Sequence, residues 1–93
     1  MIRITRQGGT SVTLEGHAGS DVYGRDLVCA AVSALVLTLA EAVKDKLGAE
    51  VILSPGSCHI RSSPEAEAAF DCICLGFALL AEKYPDYVCF TEA

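Results

Sequence analysis

Two side chains that together can open an acyl bond stand twelve positions apart in the first third of the chain, His17 and Cys29. A cysteine attacks a carbonyl as its thiolate, and a nearby imidazole can take the thiol proton and return it to the leaving group. Asp26 lies three residues before Cys29, ahead of a long apolar run, and reads as the N-cap of a helix whose first turn holds Cys29. Unsatisfied backbone N–H groups and the positive end of the dipole favour an anion there, and the same donors can stabilise an oxyanion. Ser33, four residues on, shares a helix face with Cys29 and offers a hydroxyl. A lone Cys and a lone His also fit a small core thiol and a partly exposed loop residue, and spacing alone does not choose between the two descriptions.

The elements that must position this pair can be read from pattern. Ile2 and Ile4, then Val12 and Leu14, alternate with polar residues on either side of Gln7-Gly8-Gly9-Thr10, which predicts a hairpin over residues 1–16. Residues 16–25 contain Gly16, Gly19 and Gly24 and no sustained period, so they read as a loop, with Tyr23 as its candidate for touching a substrate side chain. The helix after Asp26 is expected to run to about Leu47, with Lys44 and Lys46 in its last turn and Gly48 beyond. It is apolar nearly all round from Leu27 to Ala40, so more than one side should be covered.

Val51-Ile52-Leu53 and residues 58–61 flank Ser54-Pro55-Gly56-Ser57, a second strand pair around a Pro-Gly turn. Ser63, Pro64 and Glu65 open a second helix as cap, N1 proline and acid matched to the dipole. Its apolar stripe is Ala66, Phe70, Ile73, Phe77, Leu80 and Tyr84, ended by Pro85, and residues 87–90 can form a last strand. The order strand, strand, helix, strand, strand, helix, strand predicts an α/β (α+β) two-layer sandwich, one domain over residues 1–93.

Composition narrows the function classes. Seven Lys and Arg against twelve Asp and Glu give a net charge of -5, with no basic cluster, which argues against a nucleic-acid partner. The N-terminus lacks the features of a secretion signal, and the longest apolar run falls short of the ~20 residues a membrane span needs, so a cytoplasmic protein without a membrane partner is expected. Five cysteines in such a chain read as free thiols. Cys72 and Cys74 project about 200° apart on a helix, and Cys58 and His59 point to opposite faces of a strand, so neither pair suits a metal; no metal and no cofactor is expected. A redox role is disfavoured because no C-x-x-C exists and no other cysteine lies near Cys29 in sequence.

Gly16-His17-Ala18, Gly24 and then Asp26-Leu27-Val28-Cys29-Ala30-Ala31-Val32-Ser33-Ala34-Leu35 resemble the ribosomal-processing cysteine proteases, the Prp family. The resemblance implies a cytoplasmic, usually dimeric endopeptidase that removes a short N-terminal extension from large-subunit ribosomal protein twenty-seven, cutting after a phenylalanine. It implies Cys29 and His17 as the catalytic pair, Asp26 and Ser33 in support, and a substrate loop containing Gly19, Tyr23 and Gly24. The alternative is a non-catalytic module that binds a ribosomal protein or assembly factor through the same cleft.

Overall fold

The structure, a computed structural model, describes residues 1–16, 23–46 and 48–93, and for 23–26 the backbone alone. Strands β1 (Ile2–Gln7) and β2 (Ser11–Glu15) form the first hairpin, followed by helix α1 (Tyr23–Val43). Strands β3 (Glu50–Ser54) and β4 (Ser57–Arg61) form the second, and after a 3-10 turn at Pro64–Ala66 come helix α2 (Glu67–Lys83) and strand β5 (Val88–Glu92). The predicted element order is the observed one.

The five strands form one sheet in the order β3-β4-β2-β1-β5, antiparallel except where β1 pairs with β5. The connections β2-α1-β3 and β4-α2-β5 each join strands of the same direction. The two connections run opposite ways and step to opposite sides of the sheet, so right-handed crossovers deliver both helices to one face. Register aligns Leu53, Cys58, Leu14, Ile4 and Phe90 in one row across that face, with Val51, Ile60 and Val12 in the next.

The core is the apolar face of this sheet closed by the helices. Ile4, Val12 and Ile60 meet Val28, Leu39 and Val43 of α1 and Phe70 and Phe77 of α2 in one buried cluster. Burying side chains of this size contributes about 1.5–3 kcal/mol each before the entropy of ordering is counted. The helices approach closely at Gly76, where an added Cβ would come 2.9 Å from a Leu35 methyl. Arg6 of β1 donates to the Gly9 carbonyl at 2.7 Å and to Asp71 at 2.7 Å, tying the first turn to α2. Burial opposes the Arg6 charge, but the hydrogen bond to Asp71 together with the charges of Cys74, Asp71 and Glu92 outweighs it, and the guanidinium titrates above its ordinary value. Burial in turn pushes the neighbouring Cys74 thiol up.

Three local expectations are corrected. Helix α1 begins at Tyr23, so Asp26 sits in its first turn instead of capping it, and Tyr23 and Gly24 belong to the helix. The helix ends at Val43, leaving Lys44 and Lys46 beyond its last turn. Its apolar surface is covered on more than one side, by the sheet and by α2, as expected, with Leu27 and Leu37 left exposed. In α2 the buried stripe stops short of Tyr84, which follows the helix and is exposed; Cys74, not Tyr84, completes the packed face.

At the end of β2 the chain passes Met1 so closely that an ideal Cβ on Gly16 would lie 2.3 Å from the Met1 carbonyl oxygen, and Gly16 has φ +100°. Both facts demand glycine. Gly16→Ala is expected to destabilise the fold by about 1–3 kcal/mol through backbone strain and displacement of the first residues; urea unfolding at equilibrium measures it, and an unchanged midpoint would contradict the contact.

Candidate active site

The sheet carries one strand end from each hairpin to the same place. Gly16, directly after β2, donates its N–H to the Gly56 carbonyl at 2.9 Å, so the β3-β4 turn is fastened beside the exit of β2. Above this corner lies the N-terminal half of α1. Between them runs a groove of about 380 Å³.

Cys29, Val32, Ser33 and Leu37 supply the helix side of the groove, and Leu53 and Cys58 the hairpin side. Ile2 and Leu14, from the apolar sheet face, form the base, and Gly16 and Gly56 close the corner. The surroundings are mainly apolar, with a thiol and a hydroxyl one helical turn apart. Cys29 is half-buried, reachable from the groove yet packed against the core. Such a site can hold an apolar side chain while presenting a sulfur to the backbone beside it.

Two of the residues expected to act together, Cys29 and Ser33, do line one groove. His17 and Gly19 lie outside the described residues, as do the side chains of Tyr23 and Asp26. Gly16 places the chain one residue before His17 at the groove itself. The other histidine is elsewhere: His59 stands on the opposite sheet face, its Nδ1 3.1 Å from the Thr13 hydroxyl and its Nε2 3.3 Å from Glu50. The earlier start of α1 also moves Cys29 into the second turn, where its N–H belongs to the intrahelical ladder. The first-turn N–H groups lie one turn upstream of Cys29.

Sequence reasoning passed over the hairpin side of the groove. Cys58 reads as a core thiol and does pack against the core, but near the turn end of β4, in the same row as Leu14 and Leu53, it also lines the groove, with its Sγ 3.8 Å from the Ser54 carbonyl. The alternation of Cys58 and Ile60 announces the correct face; only the strand order reveals that Cys29 shares the groove. All five cysteines are free thiols, as expected. Among the described residues no group of three His, Cys, Asp or Glu side chains could hold a metal, and no helix is long and apolar enough to cross a membrane.

The chain matches the family model described as cysteine protease Prp over residues 1–89. It belongs to the Prp family of cysteine proteases. The fold agrees with solved structures. SMU.848 from Streptococcus mutans is 32% identical with a TM-score of 0.75, over 98% of this chain and 90% of that one. The ribosomal processing protease Prp from S. aureus in complex with a substrate peptide is 23% identical with a TM-score of 0.79, over 99% and 97% of the two chains. The same S. aureus protease with a covalently linked product peptide gives 24% and 0.77 over the same shares. No curated protein matches the chain. Membership of the Prp family makes the protein a thiol endopeptidase, so the reading as a non-catalytic binding module is set aside.

The half-exposed Leu53 gives the groove much of its apolar hairpin side while contributing little to the buried core. Leu53→Ala is therefore expected to lower kcat/KM for a peptide with an apolar residue before the cut by about tenfold, with the unfolding midpoint nearly unchanged. Steady-state kinetics beside urea unfolding checks this; a wild-type kcat/KM would place the substrate elsewhere.

Proposed function

We propose that this protease acts in the cytoplasm on a precursor of large-subunit ribosomal protein twenty-seven, removing a short N-terminal extension by cutting after a phenylalanine. The observation that carries the reading is the apolar groove with the Cys29 sulfur on one side and the residue preceding His17 at its corner. An aromatic ring fits the apolar base, and the carbonyl that follows it then lies against α1. The S. aureus relative is named for ribosomal processing and holds a substrate peptide on the same fold, which supports the assignment of substrate class.

In this reading His17 takes the Cys29 proton and the sulfur attacks the scissile carbonyl carbon. The tetrahedral intermediate collapses when the imidazolium gives its proton to the departing amine, leaving a thioester on Cys29. Water, deprotonated by the same imidazole, then releases the acid and restores the thiol. Ser33 offers a hydroxyl donor one turn from the sulfur. Asp26, no longer a cap, has orientation of His17 as its remaining role, and the segment containing Gly19, Tyr23 and Gly24 contacts the substrate. The position of His59 on the far sheet face supports His17 as the base. The protein acts as a homodimer, for which the exposed Leu27, Leu75 and Leu79 of the two helices provide apolar surface.

Cleavage of a synthetic peptide spanning the extension junction tests the proposal. Cys29→Ala is expected to abolish turnover, since no thioester can form, and His17→Ala to leave at most a trace that grows as the pH is raised. Replacing the phenylalanine before the cut with alanine is expected to cost about 1–3 kcal/mol in kcat/KM. Native-rate cleavage by folded Cys29→Ala would overturn the site; equal cleavage of both peptides would overturn the specificity.

A further inference from the structure

Strand β3 is the outermost strand of the sheet, and its last two residues, Leu53 and Ser54, line the groove that holds Cys29. An outer strand leaves a row of N–H and C=O groups unpaired, which proteins usually blunt with lysine, proline or a covering segment. Glu50–Ser54 contains neither lysine nor proline, and among the described residues no strand pairs with its free side. Ile52 and Leu53 are 53% and 46% exposed. The strand's one charge, Glu50, faces His59 at 3.3 Å and Arg61 at 3.5 Å on β4, so no unattended charge opposes an apolar chain.

We propose that the free edge of β3 is the docking strand for the substrate: an extended peptide pairs its backbone with β3 and is led by it along the groove to Cys29. This rests on the processing reading above and specifies how the substrate is held. The turn and the register say which atoms do the pairing. Pro55 and Gly56 form a two-residue turn closing on the pair Ser54 and Ser57. Antiparallel alternation then directs the polar groups of Ser54 and Ile52 to β4, and those of Val51 and Leu53 outward. The side chains of Val51 and Leu53 lie on the sheet face that carries the helices, in register with Ile60 and Cys58. A peptide strand added here sets every second side chain on the groove side and the intervening ones beside Ile52. The occupant is a peptide, not a second copy of the chain, because this edge is continuous with the groove of the nucleophile and extended backbone is what exposes a scissile carbonyl.

The test is a set of junction peptides, each methylated at one backbone nitrogen upstream of the cut, measured for affinity on Cys29→Ala protein and for kcat/KM on the active enzyme. Methylation removes a donor and leaves every side chain intact. Two positions, separated by one, are expected to lose about tenfold or more in affinity, as a missing hydrogen bond predicts, while the position between them changes little. Val51→Pro, which removes an outward N–H at an edge where proline is tolerated, is expected to raise KM while kcat is kept. If the parent peptide binds and the scan is flat, strand pairing is overturned while the processing reading stands. Val51→Pro protein that folds, keeps its KM and loses dimers would assign the edge to a second copy and overturn the proposal as well. A parent peptide that neither binds nor is cut would overturn both.

Discussion

The passage of Gly16 past the first residue of the chain is the constraint on which the site depends. Its backbone lies against the Met1 carbonyl with no room for a side chain, and its N–H is spent on Gly56 in the β3-β4 turn. Three chain segments distant in sequence are thereby fixed at one corner: the start of β1, the exit of β2 and the turn that ends β3. The groove exists because α1 packs above that corner on Val28, Val32 and Val36 while Cys29 and Ser33, one position further round, look into the space left at its side. The same helix thus supplies core on one face and chemistry on its flank.

The parts of the fold set by short-range chemistry were legible. Alternating Ile2, Ile4 and Val12, Leu14 around paired glycines, and Pro55-Gly56 between two short apolar runs, are observed as hairpins. Ser63 with Pro64 does open the second helix, although its first turn is 3-10 and the Ser63 hydroxyl turns to Glu65 at 3.2 Å instead of capping a backbone N–H. The start of α1 was misplaced because Gly24 and the Asp26 cap signal argue for a later beginning, whereas a glycine in a first turn costs only about 1 kcal/mol. Strand order was not readable at all. The parallel pairing of β1 with β5 joins residues more than eighty positions apart, and no local propensity encodes it.

For the site, legibility followed the same division. Cys29 and Ser33 are four apart on one helix, so their shared flank is a local property. Cys58 and Leu53 reach the groove only through the order β3-β4-β2, which brings Cys58 to the groove that Cys29 lines and leaves His59 on the other face. The apolar base made by Ile2 and Leu14 likewise needed the sheet. The helix start places Cys29 in the second turn instead of the first, and this shifts weight in the proposed chemistry from the helix terminus to the imidazole and the groove.

In the proposed function one thiol of five, Cys29, reacts at the substrate carbonyl with His17 as its base. A junction-derived peptide ending in a phenylalanyl chloromethyl ketone, added in equal amount to native protein and followed by mass mapping of the adduct, tests it directly. A single adduct on Cys29 is expected, formed far more slowly in His17→Ala protein, with Cys58, Cys72, Cys74 and Cys89 unmodified. A first adduct on Cys58, or labelling of Cys29 at the same rate without His17, would contradict it.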